Sequence, residues 1–183
     1  LNNKAGILPV NNFSSGRHDK AFELSGEMFR DVHETRPRTC KPCSIHCGHQ
    51  GLFAAGRYQV PEYETLALLG SNLGIFDREH LNALNHCCGR LGLDTISTGS
   101  SLAWAMEAGT KGLLETELRF GSARGLQRSI EDIAAGRGFG RILGQGVKRL
   151  AETYGGRDFA MQVKGLELPG YDPRGSFGQG LAY

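Results

Sequence analysis

Three cysteines fall within the segment Cys40-Lys41-Pro42-Cys43-Ser44-Ile45-His46-Cys47, in C-x2-C-x3-C spacing. The segment has few apolar residues and reads as most of a metal site. That reading obliges the chain to fold as a loop around a bound group. A cubane iron-sulfur cluster ordinarily takes four thiolates, and only three are present in this segment. A tetrahedral zinc ion also wants four ligands, and His46 or His49 could supply the last. The local sequence therefore leaves zinc and iron-sulfur both open. Cys40-Lys41-Pro42-Cys43 alone has the form of a redox dithiol, which sets its first thiol at a helix start. Such a motif wants a strand before it, whereas 31–39 is polar and carries Pro37. The remaining reading, unrelated buried cysteines in a reducing compartment, sits poorly with such tight clustering.

The rest of the composition bounds the class. A chain of 183 residues, 39% of them hydrophobic, can bury the core of one domain with an appended segment. It opens on Leu1 and stops at Tyr183 without a charged tail, which suggests a piece of a longer protein. The net charge of +2, from 21 basic and 19 acidic residues, gives no field strong enough to imply nucleic acid or an acidic membrane. No run approaches the ~20 apolar residues of a membrane helix. Cysteine is present in odd number, 5, with Cys87 and Cys88 adjacent, which suits a reduced cytoplasmic interior better than a disulfide framework.

Apolar spacing predicts a mainly α, multihelical fold with loop-rich ends. Residues 1–18 read as an extended leading loop. From Asp19, the positions Ala21, Phe22, Leu24, Met28, Phe29 and Val32 follow helical spacing, with Asp19 as cap and Pro37 as stop. Beyond the cysteine loop, 38–50, a short hairpin is expected over 51–60 with its turn at Gly56. Pro61 opens a helical run to Gly70. Asp77 caps a helix carrying Leu81, Leu84 and Cys88 that stops near Gly89 or Gly92. Asp94 heads the next, through Trp104 to Gly109. Gly125–Ala135 and Arg141–Tyr154 supply two more helices, the second with Gly144 and Gly146 inside it for close packing. The tail, 155–183, is rich in turns, and the first part of the run from Phe159 to Gly175 reads as a strand.

Several polar motifs stand out. Gly92-Leu93-Asp94 puts a glycine and an acid at the mouth of a helix, where free N-H groups can take ligand oxygens; an ordinary N-cap explains Asp94 equally well. Gly136-Arg137-Gly138-Phe139-Gly140 matches neither nucleotide-loop pattern and reads as an interhelical turn. Glu62 and Glu64 are two apart, so on a helix they point to different faces and cannot act as a pair. His18, His33, His46, His49, His80 and His86 form no i, i+4 metal pair on one helix. Lys164, Glu167, Asp172 and Arg174 form either a polar turn network or a binding edge.

Taken in order, these segments resemble the tungsten-containing aldehyde ferredoxin oxidoreductase family. The resemblance rests on the cysteine motif, Pro61-Glu62-Tyr63-Glu64-Thr65, Leu91-Gly92-Leu93-Asp94-Thr95-Ile96-Ser97-Thr98-Gly99, Ile142-Leu143-Gly144-Gln145-Gly146-Val147, and the run from Lys164 through Leu168-Pro169-Gly170-Tyr171-Asp172-Pro173-Arg174 to Gly175. It implies that residues 1–183 are a central helical cluster- and pterin-binding domain of an enzyme that oxidises aldehydes to carboxylic acids and passes electrons to ferredoxin. It further implies that Cys40, Cys43 and Cys47 hold a 4Fe-4S cluster, with a fourth thiolate from chain outside this sequence. The cluster would lie beside a tungsten bis-pterin, with molybdenum as the alternative metal. Gly92, Leu93 and Asp94 match the pterin motif, whose leading aspartate is replaced here by Gly89. Glu64, in preference to Glu62, matches a glutamate near the metal. The remaining domains of the same enzyme would complete the site, and a homo-oligomer stays open. Two further readings stand beside this one: a non-catalytic zinc-binding helical module, and an electron-transfer subunit that keeps the cluster and lacks pterin.

Overall fold

Three helices begin where a short polar side chain, Ser25, Asp77 or Asp94, accepts from the backbone amide three residues on, and one departure from the expected boundaries follows from that rule. The computed structural model describes residues 1–183. The leading segment holds one helical turn, α1 (Asn2–Ala5), and a tight turn at Asn11, Asn12 and Phe13, all at positive φ, that bridges Val10 to Ser15. The single helix expected from Asp19 is instead a 3-10 turn over Asp19–Leu24 and a separate helix α2 (Gly26–His33). Ser25 divides them: its Oγ accepts from Met28 N at 3.3 Å, so a new helix starts there. Asp19 lies inside the 3-10 turn, and the cap is His18, whose Nδ1 accepts from Lys20 N.

Strands β1 (Arg36–Pro37), β2 (His49–Phe53) and β3 (Gly56–Gln59) form an antiparallel sheet in that order. Pro37 pairs with His49, and Phe53 with Gly56, so the hairpin turns at Ala54-Ala55 and Gly56 begins the return strand. Helix α3 (Tyr63–Thr65) runs into a wider π turn over Leu66–Gly70. Asp77 caps α4 (Arg78–Leu91), its Oδ1 accepting from His80 N at 2.8 Å. The helix stops at Gly92, φ 70°, a left-handed conformation in which a side chain is strained and glycine is not.

Asp94 caps α5 (Thr95–Thr110), which runs one residue past the expected end. Leu102, Ala103, Trp104, Ala105 and Met106 are all fully buried, so α5 is apolar nearly all round and forms the axis of the core. The same buried cluster takes in Leu81, Leu84 and Cys88 of α4, and Leu126 and Ile130 of α6 (Leu126–Ala135). The one helix expected over 141–154 is two, α7 (Gly140–Leu143) and α8 (Val147–Tyr154). The break falls at Gly146, φ 86°, so Gly144 and Gly146 lie between helices rather than inside one. A short hairpin, β4 (Gln162–Val163) and β5 (Leu166–Glu167), and α9 (Phe177–Ala182) end the chain.

Burial pushes the Cys88 thiol up from 9.0 to about 12. A thiol that holds its proton more tightly when folded contributes stability fully present below the unfolded value and lost as pH rises through the folded one. Stability is therefore expected to fall between about pH 9 and pH 12. Tyr63, also pushed up by burial, from 10.0 to about 12, acts in the same sense. Urea midpoints taken at pH 8 and pH 10.5 test this, and Cys88→Ala should flatten the decline; an unchanged midpoint would contradict it.

Candidate functional site

The cysteine loop is closed at its neck by the small sheet. Arg38 N donates to Gly48 O at 2.9 Å, continuing the β1–β2 pairing, and Val60 N donates to His49 O at 2.9 Å on the other side. Within the loop Cys43 N donates to Cys40 O at 2.8 Å, and His49 Nδ1 lies 3.0 Å from Cys47 O. Cys40, Cys43, Cys47 and His46 line one cavity of about 540 Å³, together with Arg38, Gln59 and Glu62. All three thiols are free, Cys40 and Cys47 exposed and Cys43 half-buried. No three His, Cys, Asp or Glu side chains converge closely enough to hold one metal ion.

Three other motifs, far apart in sequence, are joined by three contacts. Gly170 N donates to Glu64 Oε2 at 2.7 Å. The Thr65 and Thr95 hydroxyls, each one residue beyond a candidate acid, hydrogen-bond at 2.9 Å. Ser97 Oγ donates to Glu167 Oε2 at 2.9 Å, while Glu167 Oε1 accepts from Val147 N at 2.9 Å and so caps the start of α8. Glu64, Asp94 and the 164–175 run thus belong to one connected wall. Tyr63 strengthens it, its hydroxyl donating to Gly170 O at 2.5 Å.

Beside this wall lies a cavity of about 240 Å³, lined by Leu93, Asp94, Ser97, Ser101, Gln145 and Glu167 among others. Asp94 both lines it and caps α5, its Oδ2 accepting from Ser97 N at 2.7 Å. Leu93 faces the cavity, whereas Gly92 acts as the stop of α4. A side chain at Gly89 would meet nothing within 4 Å, so the helix accepts glycine or aspartate there without rearrangement. Glu62 is exposed and borders the cysteine cavity, while Glu64 is half-buried and held by Gly170, so the two acids do face different ways. His46 borders the thiols, and His49 bonds its own loop. Of the tail residues, Asp172 and Arg174 are a turn network, with Arg174 Nη2 2.6 Å from Asp172 Oδ2, and Glu167 is a cavity edge. Ser97 and Gln145 lie within two of the runs that carry the resemblance without being marked out there as site residues, and Ser101 lies outside them; the approach of α5 to the α7–α8 break brings the three together.

The family model described as "Aldehyde ferredoxin oxidoreductase, domains 2 & 3" matches residues 1–183. The chain belongs to the aldehyde ferredoxin oxidoreductase family. It is 45% identical to the tungsten-containing aldehyde ferredoxin oxidoreductase of Pyrococcus furiosus and 43% to that of Thermococcus kodakarensis, over 99% of this chain and 31% of each relative. An aliphatic sulfonate oxidoreductase WOR-like subunit of Pyrococcus furiosus is 30% identical over 70% of this chain and 21% of that protein. The chain therefore spans about a third of the length of these aldehyde ferredoxin oxidoreductases. In fold it is similar to the active-site complex BamBC of benzoyl coenzyme A reductase, with TM-score 0.73 and 21% identity over 91% of this chain and 27% of that one. The mainly α architecture agrees with that likeness. No helix is long and apolar enough to cross a membrane.

Proposed function

We propose that residues 1–183 are the central cluster- and pterin-binding segment of a cytoplasmic tungsten enzyme that oxidises aldehydes to carboxylic acids and passes the electrons to ferredoxin. The observation that carries this is the convergence of Glu64, Asp94 and Glu167 through the Gly170, Thr65–Thr95 and Ser97 contacts, in a family whose named relatives are tungsten-containing. Cys40, Cys43 and Cys47 line one cavity of about 540 Å³, and three thiolates are a donor set of the kind an iron-sulfur cluster takes. Cys40, Cys43 and Cys47 would hold a four-iron cluster, with the last thiolate from the remaining domains.

A tungsten bis-pterin, when bound, would supply two-electron oxidation, and a cluster held by Cys40, Cys43 and Cys47 would supply one-electron transfer. Leu93 and Asp94 would face the pterin, with Gly92 shaping the turn that presents them. Glu64 is the proton-transfer group. Its Oε2 is engaged by the Gly170 amide, leaving Oε1 to exchange a proton with a water or the substrate.

Full-length enzyme made anaerobically should contain iron, acid-labile sulfide and tungsten, and should reduce ferredoxin when given an aldehyde. A preparation holding zinc and none of these would overturn the proposal. Gly89 motivates the pterin-free alternative, and pterin in an extract of the same preparation would exclude it.

A further inference from the structure

Both carboxylate oxygens of Glu167 are engaged, each by a different helix. Ser97 Oγ of α5 donates to Oε2 at 2.9 Å, and Val147 N, the first amide of α8, donates to Oε1 at 2.9 Å. The first amides of a helix have no partner inside it, and the positive end of its dipole favours an anion, so a carboxylate suits that place. The residue before Val147 is Gly146, which has no side chain to cap α8 itself. A methyl group built on Gly146 would lie 2.8 Å from Glu167 Oε1, so the bare backbone makes room for an acid from 20 residues away. Three residues beyond Glu167 stands Gly170, whose amide holds Glu64 Oε2 at 2.7 Å and whose carbonyl takes the Tyr63 hydroxyl. Gly170 is tightly seated, since a methyl group there would lie 2.6 Å from Ala67 Cβ. The link between the two is short and stiff. Pro169 has a fixed φ, and Leu168 donates its amide to Met161 O at 3.2 Å while its side chain packs with Ala67 and Leu68. Apolar packing is non-directional and sets how close this segment lies, whereas hydrogen bonds to a carboxylate also set its register.

We propose that Glu167 is a positioning residue for Glu64. Pinned to α5 and α8, it fixes the 167–170 segment so that the Gly170 amide holds Glu64 Oε2 and keeps Oε1 in one place for proton exchange. The inference rests on the proposed role of Glu64 in proton transfer, and goes beyond it by assigning the device that aims the carboxylate. Every contact in this linkage is made within residues 1–183. Glu167 acts through Gly170, without touching the reacting atoms. A misplacement of about 1 Å at a reacting group costs about 10²-fold in rate, so a loosened register matters even where the fold survives.

The test is a double-mutant cycle in full-length, metal-loaded enzyme. Glu167→Asp is one methylene too short to reach Ser97 and Val147 together. It should lower kcat per bound tungsten by about 10- to 100-fold and leave the KM for aldehyde unchanged. Glu167→Gln keeps the length, accepts from Val147 N and can donate to Ser97 Oγ, so it should restore kcat. In a Glu64→Gln background the Glu167→Asp change should cost less than about twofold, because the group it aims is already gone. Iron, sulfide and tungsten contents should match wild type throughout. Should Glu167→Asp fail to fold, Ser97→Ala, which releases Oε2 alone, takes its place in the cycle. An equal loss in both backgrounds would overturn the positioning role while leaving Glu64 in place. A fall in tungsten content with kcat per tungsten unchanged would also overturn it, and would assign Glu167 to cofactor retention. A Glu64→Gln enzyme at the wild-type rate would overturn the role of Glu64, and the positioning with it.

Discussion

Glu64→Gln in the full-length enzyme is expected to lower kcat for aldehyde oxidation by about 10²- to 10⁴-fold, the range general acid-base catalysis supplies. Glutamine is close to isosteric, and its amide oxygen can still accept from Gly170 N, the bond Glu64 Oε2 makes at 2.7 Å. The wall formed by α3 and the 164–175 run should therefore survive, together with iron, sulfide and tungsten content. A loss confined to kcat then reports the missing proton-transfer group. Glu64→Ala differs in kind, because it also leaves the Gly170 amide without its partner and loosens the turn. Glu62→Gln is the discriminating control. Glu62 is exposed on the cysteine cavity, so its replacement should cost kcat far less. A Glu64→Gln enzyme with near wild-type kcat, or a larger loss from Glu62→Gln, would remove Glu64 from the proposed chemistry.

Much of this site was legible because local chemistry reports itself locally. Asp77 and Asp94 act as caps where an acid precedes an apolar repeat, and each accepts from the amide three residues on. The cysteine spacing predicts a loop, and the loop is there. What could not be read came from long-range partners. Nothing near Gly146 in sequence announces that Glu167 will take over the amide of Val147, so an uninterrupted apolar period over 141–154 reads as one helix. Ser25 is the opposite case, a local signal outvoted by the continuous apolar spacing around it, although its hydroxyl starts α2. The joining of Glu64 to Gly170 spans 106 residues, and only the resemblance to a family could anticipate that these two runs share a site.

Gly48→Ala should empty the cysteine loop without touching a metal ligand. A methyl group built on Gly48 would lie 2.3 Å from Arg38 O and 3.1 Å from Gln59 Nε2. The obstacle is backbone rather than the end of a flexible side chain, so it cannot swing aside. The same two residues form the neck, with Arg38 N donating to Gly48 O at 2.9 Å. Relieving the clash means separating β1 from β2 at the point that holds Cys40 and Cys47 across one cavity. Overpacking of this kind costs about 1–3 kcal/mol. Concentrated on the closing of one loop, that is a shift of about 5- to 150-fold in the fraction competent to bind a cluster, at 1.4 kcal/mol per tenfold. Iron, sulfide and the cluster's EPR signal in anaerobically purified full-length enzyme should fall together. Gly178→Ala, where a methyl group meets nothing within 4 Å, should leave all three at wild-type levels. Because Cys40, Cys43 and Cys47 remain intact in the Gly48 variant, a full complement of cluster there would mean that the thiols bind without the neck, and that the sheet does not pre-form the site.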